Sequence, residues 1–526
     1  MDTPPSSANA GPAERLLFAA LLVLHLVPLL VVPAFPSQDG PSHVESAFNL
    51  RHYDDPAYGR LRELYVRNPA PEPNLLGHLL LVALLEIARP TLAEKLMIGA
   101  FVLALPLSVR YALRALAPEA AWLAVLAFPF VYSWPLHMGF FNFCWGLPLF
   151  FVALGYWIRH RAAMRPRHVL VLAVLLLLLA GAHVVPLVLT IGVLVLWIAF
   201  ERKAIGPALV ALTPVLGLLA AFVWRKSPVP SEAPPATDLL RGLLRLESLV
   251  SFRESEALAS TALVVLFAVL VARGVWQRAR THTRVFVPAD ALVVAVPLLV
   301  LLYFVAPRRI AGGSYLNERL ALFPFLVALL WLATLAYSER LRRAVQLTAA
   351  ALAVAALSFH LATYVELRAP LAEYLSAAPR LQPDHTLLPL SFASQGWGLS
   401  RLRPRTKVFL HTASYLSAER GAPSLANYEG NYMHFPLIYR DAVNPFVHLA
   451  REQGLEGDPP CLDLEAYARE TGREVDYVLL WGMRAHQRVG EPCTERLLAA
   501  LERGYELTFI SEPRKLVRLY TRKART

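Results

Sequence analysis

The chain has 526 residues, 56% of them hydrophobic and only 17% charged, with 51 basic against 39 acidic residues and a net charge of +12. A soluble domain ordinarily carries about 25% charged residues, so this composition excludes a purely soluble protein and requires a chain that crosses a membrane repeatedly. The positive balance does not point to nucleic acid, because many Arg and Lys residues fall in short clusters between apolar runs, as in the loops of membrane proteins.

The first apolar run, Leu16 to Phe35, is long enough to span a bilayer. No small-x-small cleavage pattern follows it, so it is expected to stay as a first helix with Arg15 on the inner side. The segment "PAFPSQDGPSHVES" (Pro33–Ser46) comes next and opens a first outer loop of about residues 36–92. Within that loop "NLLGHLLLVALLEIA" (Asn74–Ala88) is apolar but short for a span, and it carries His78 and Glu86. A crossing there would put Arg110 and Arg114 on the outside, so it is predicted to be a surface or re-entrant helix on the outer face.

Basic clusters at 110–116, 159–168, 201–203, 272–284 and 338–343 mark the inner side. Between His168 and Phe200 the chain must go out and return, as two short helices turning near His183, with Gly181 and Pro186 at the turn. Crossings near 204–224, 258–273, 286–306, 319–337 and 344–363 follow, for about eleven in all. The apolar runs are continuous and lack alternation, which makes them helices and not barrel strands. The fold class is therefore an α-helical polytopic membrane protein with a C-terminal soluble α/β domain, divided at about 364/365.

In the tail, "TKVFLH", "VDYVLLWG", "YELTFIS" and "KLVRLYT" read as strands. "LDLEAYARETG" and "CTERLLAALERG" read as helices that end at Gly472 and Gly504. There is no Gly-rich phosphate loop and no internal repeat. Of the three cysteines, Cys144 lies in an apolar run, as a core residue would. Cys461 and Cys493 lie in the tail and are candidates for a disulfide if it faces an oxidising compartment, given spatial proximity.

On this topology the unusual polar residues collect on the outer side. Asp39, His43 and Glu45 are in the first loop. His137 and Asn142 are in "WPLHMGFFNFCWG", and His183 is at the next outer turn. Arg308, Arg309, Glu318 and Arg319 are in or beside "APRRIAGGSYLNER". Each also has a plainer explanation. Asp39 can cap the helix that starts near Pro41, with His43 as its local partner, and Glu45 can face water. His137 and Asn142 can orient their helix, His183 can be a satisfied core histidine, and Arg319 can anchor a helix end at the headgroups. Taken together, a carboxylate just above the bilayer suits a general base. Arginines at the surface suit a lipid phosphate or diphosphate. Asp39, His43 and Glu45 offer ligands for a divalent ion, but their spacing matches no metal signature and requires no cofactor.

"PSQDGPSHVESAFNLRHY", the Asn74–Ala88 stretch and "SYLNERLALFPF" together resemble the GT-C class of membrane glycosyltransferases, which includes the protein O-mannosyltransferases and the lipid A aminoarabinose transferases. The resemblance implies a first outer loop with an essential acidic residue, surface helices, many spans and often an outer C-terminal domain. Asp39 matches the acidic residue, Asn74–Ala88 a surface helix, and Arg319 the basic residue near the lipid phosphate. Many relatives have adjacent acidic residues where this chain has Asp39-Gly40, with Glu45 six positions on, so a second acidic role has no assigned residue. The implied activity is transfer of a sugar from a polyprenyl-phosphate carrier to a lipid, glycan or protein acceptor at the outer face of the membrane. The short loops and lack of targeting signals suggest a bacterial inner membrane. The alternatives are a transporter or flippase of a lipid-linked precursor, disfavoured by aliphatic midplanes and the absence of repeats, and a non-catalytic relative.

Overall fold

Continuous apolar sequence leaves each backbone group to be satisfied within its own segment, so the first three-quarters of the chain is helix after helix. The computed structural model describes residues 11–70, 72–201, 204–226, 231–280, 288–310, 312–396, 402–451, 454–457, 459–483 and 491–524. Of the basic clusters, positions 202–203 and 281–284 lie outside the described residues.

The expected crossings each coincide with a helical segment. They are Pro12–Leu24 continued by Val27–Val31, then Pro90–Leu116, Pro118–Phe130, Phe141–His160, Pro166–Ala182, Val184–Glu201, Ile205–Arg225, Glu256–Arg280, Asp290–Val305, Phe323–Leu332 and Glu339–Leu375. Among the described residues seven helices are long and apolar enough to cross a membrane. Pro118–Phe130, a 3-10 helix, and Pro166–Ala182 and Asp290–Val305 are shorter apolar helices. The outward faces carry large apolar side chains, with Trp224 89% exposed. Such a surface suits lipid and not water.

At one end of the bundle, Glu14 accepts from Arg110 (3.2 Å) and Arg342 (2.7 Å), joining the first, second and last long helices. Arg161 and Glu201 pair near that end of two other helices. The opposite end carries the first loop and the C-terminal part. The Asn74–Ala88 stretch forms only a nine-residue helix, Leu76–Leu84, packed on the Gly40–Arg51 helix.

In the C-terminal part, Leu387–Ser391 pairs in parallel with Tyr477–Trp481, and Val517–Arg522 and Tyr505–Ile510 extend the sheet antiparallel in that order. The "TKVFLH" strand is a correction. Residues 406–411 have no ladder partner, and the fourth strand is Leu387–Ser391. Pro389 sits at its centre and cannot donate to a ladder, which a sheet tolerates only at an edge, and this strand is the edge. The three consecutive apolar residues at 408–410 instead fill the seam between bundle and sheet, where Phe409 stacks on Trp481 with centroids 4.6 Å apart. The two cysteines of the tail are joined as the disulfide Cys461–Cys493.

The two parts interlock. Tyr65–Arg67 from the first loop pairs antiparallel with Leu437–Tyr439 from the tail. The 37-residue helix Glu339–Leu375 runs from the Glu14 end into the sheet, where Glu373 Oε1 accepts from Ser511 Oγ (2.8 Å) and Leu516 N (3.0 Å).

Candidate functional site

Where the first loop, the helix ends and the tail meet, a cavity of about 570 Å³ opens. Its wall includes Asp39, His43, Asn142, His183, Arg309 and Arg319, six residues that the sequence had marked from four separate segments.

Asp39 is held by its backbone. Its N–H donates to Met138 O (3.0 Å) and its carbonyl accepts from His43 N (3.2 Å). Gly139 makes this approach possible. It sits at φ +87°, and a Cβ there would lie 2.9 Å from the Asp39 carbonyl carbon. Although Asp39 occupies the N-cap position of Gly40–Arg51, its side chain accepts no hydrogen bond from that helix. The carboxylate is not a cap; Gln38 Nε2 donates to it at 3.0 Å. Burial pushes Asp39 up to about 7, against the Gln38 bond and His43, with Glu456 and Glu429 pushing the same way as burial.

Arg319 lies in the Leu316–Leu320 turn of helix, with its guanidinium 4.2 Å from the centre of the Phe140 ring. Nη1 donates to Ser314 O (2.5 Å), Nε has no hydrogen-bond partner, and among the described residues no carboxylate forms an ion pair with it. A buried cation without a counter-charge favours an anion in the adjoining space. Arg309 lines the cavity from the short pairing of Arg309–Ile310 with Gly313–Ser314.

Asn142 spends both ends of its amide on the first loop, accepting from Gly77 N (2.6 Å) and donating to Asn74 O (2.7 Å). His183 Nδ1 accepts from Val185 N (3.1 Å).

Four marked residues, Glu45, His137, Arg308 and Glu318, do not line the cavity. Glu45 lies on the other face of its helix, where Oε1 accepts from Ser424 N (2.7 Å); burial pushes it up to about 8. His137 is sealed under the first loop, bonded to Tyr364 OH (2.7 Å) and Ser251 Oγ (2.8 Å), and its carbonyl holds Gln38 N. Arg308 points to solvent.

The tail also contributes to the wall, with His411, Tyr428, Tyr432, His434, Phe435 and Glu456, none of them marked in the sequence as a site residue. His411 Nε2 lies 3.8 Å from Asp39 Oδ1 and 3.9 Å from Glu456 Oε1, so Glu456 is a second carboxylate near Asp39. Burial holds His411 down to about 3 and His434 to about 4, leaving both neutral. The stretch "NYEGNYMHFP" (Asn427–Pro436) concentrates aromatic, His and Glu residues outside any helix or strand pattern, and that density was the available signal.

Behind the wall, Glu429 bridges His43 Nδ1 and His78 Nε2, the latter at 2.9 Å. Burial alone would raise this carboxyl, but the two histidines outweigh it and hold Glu429 well below the usual range. These three side chains are the group among the described residues able to hold a metal ion. Glu45 is not among them.

No protein-family profile matches the chain, and no curated protein matches it in sequence. Among solved structures, a cryo-EM structure of arabinofuranosyltransferase AftD from Mycobacteria is similar over 98% of this chain, at 16% identity and a TM-score of 0.46. The match covers 42% of that protein, so the chain spans less than half of its length.

Proposed function

We propose that the protein is a membrane glycosyltransferase of the GT-C kind, which moves a sugar from a polyprenyl-phosphate carrier to an acceptor hydroxyl or amine. One observation carries the reading: a carboxylate that caps nothing and a buried guanidinium with no carboxylate partner face one cavity at the end of an apolar helical bundle. Asp39 takes the proton of the acceptor as its oxygen or nitrogen attacks the anomeric carbon. The bond from that carbon to the phosphate oxygen breaks, and its electron pair leaves with the phosphate. Arg319, with Arg309 near the rim, stabilises the charge that grows there. The aromatic wall from Tyr428 to Phe435 offers flat apolar faces against the sugar or the first isoprene units.

The disulfide favours an oxidising compartment for the tail, and hence the outer face of an inner membrane for the cavity. In this reading the membrane part extends to about residue 364 and the tail from 365 closes the site. The test supplies membranes carrying the protein with radiolabelled polyprenyl-phosphate sugars and follows label into endogenous acceptors. Transfer by the wild type, lost in Asp39→Asn at equal expression, supports the reading. Equal transfer by both proteins removes Asp39 from the chemistry.

A further inference from the structure

The cluster behind the wall has no part in the transfer step just described. His43 comes from the Gly40–Arg51 helix, His78 from Leu76–Leu84, and Glu429 from the Tyr428–Asn431 turn of the tail. All three are buried, His78 and Glu429 to 1% exposure. Their donor atoms lie within 4.8 Å of one another, and the two imidazole rings meet nearly at right angles.

The hydrogen bonding of this cluster is incomplete. His78 Nδ1 faces Asn74 O at 3.3 Å, and its Nε2 faces Glu429 Oε2 at 2.9 Å. Both ring nitrogens thus face acceptors, whereas a neutral imidazole has a single N–H to give. His43 Nδ1 and Glu429 Oε1 approach as an ion pair, so the carboxylate turns one oxygen to each histidine. A cation shared by the three side chains suits this convergence and resolves the excess of acceptors at His78. With Nδ1–H given to the Asn74 carbonyl, the His78 Nε2 lone pair is free to ligate, the carbonyl-oriented arrangement usual for metal-bound histidine.

We propose that His43, His78 and Glu429 bind a zinc ion that ties the first loop to the C-terminal part. Two imidazoles and a carboxylate suit zinc far better than magnesium or calcium, which prefer oxygen donors alone. A tetrahedral zinc at about 2.1 Å from each ligand sets its donors about 3.4 Å apart, a separation these side chains reach by small rotations. Three protein ligands leave a fourth position for water. The ion acts as a clamp: it fixes the turn that carries Tyr428, and it fixes the helix that begins at Asp39.

The test uses the full chain, purified in detergent without a polyhistidine tag, given zinc sulfate and then washed free of loose metal. Elemental analysis should find one zinc per chain, and EDTA should lower the melting temperature. His78→Gln and Glu429→Gln should each lose the zinc and its thermal shift. Asp39→Asn should keep both, which separates this site from the transfer chemistry. A variant with His160→Ala and His168→Ala, the histidine pair stacked at the other end of the bundle, should also keep its zinc. Cobalt in place of zinc should give the visible bands of a tetrahedral site in the wild type and in Asp39→Asn, and not in His78→Gln or Glu429→Gln. A monodisperse wild type that holds no zinc above a blank, with a melting temperature indifferent to EDTA, overturns the proposal. Zinc retained by both His78→Gln and Glu429→Gln overturns it equally.

Discussion

Asp39 is the residue at which a stability role and a chemical role part most clearly. A capping aspartate typically contributes about 1 kcal/mol, but this one accepts no helix N–H. Asp39→Asn is therefore expected to leave the melting temperature within a degree or two while lowering label transfer by about 10²–10⁴-fold, the range for loss of a general base. Arg319→Gln should weaken the hold on the donor phosphate and on the charge that grows there, raising the donor KM by roughly tenfold to hundredfold and lowering kcat as well. Arg319→Lys should recover part of that loss, and kinetics against donor concentration separate the two effects. Asp39, His43 and Arg319 stood out in the sequence because polar groups beside apolar runs are conspicuous. His78 was visible for the same reason, as a histidine inside an apolar helix, but nothing local named its partner. Glu429 is 351 positions away from it, and no spacing rule reaches that far.

At the scale of elements, length and hydropathy sufficed for helices, since a buried span has little else it can be. The apolar run of the Asn74–Ala88 stretch stops at Glu86, and its helix is nine residues long, Leu76–Leu84. Strands were harder. Leu387–Ser391 has leucine at three of five positions and is broken by Pro389, so it lacks the alternation that marks a half-buried strand. The 406–411 segment has a run of three apolar residues, as a short buried strand would, but no partner. Elements also set the position of the carboxylate. Gly139→Ala places a side chain at φ +87°, costing roughly 1–2 kcal/mol for the left-handed conformation, and drives its Cβ into the backbone at Asp39 and Gly40. Stability and transfer should fall together in this variant, in contrast to Asp39→Asn. Thermal unfolding measured beside the transfer assay checks that contrast.

For the whole molecule, the helical bundle was legible from hydropathy and the tail as a mixed α/β part, but its grip on the first loop was not. That grip depends on pairs such as Tyr65↔Tyr439, whose partners are ordinary residues in unremarkable stretches. The disulfide belongs to this scale too. It closes a segment of 32 residues, and loop-closure entropy gives it about 3–4 kcal/mol. Cys461→Ser with Cys493→Ser should lower the unfolding temperature of the tail, and dithiothreitol should lower that of the wild type and not of the variant. The Glu339–Leu375 helix has a further consequence. Its 37 residues make a rod of roughly 55 Å, against about 30 Å of hydrocarbon. Nearly half of it must stand clear of the acyl chains, so it works as a mast that sets the height of the sheet above the membrane plane. With Glu373 pinning the mast head to the sheet, the tail cannot tip away as a lid. On the proposed function, a lipid-borne substrate enters sideways at headgroup level, between Arg309 and the aromatic turn.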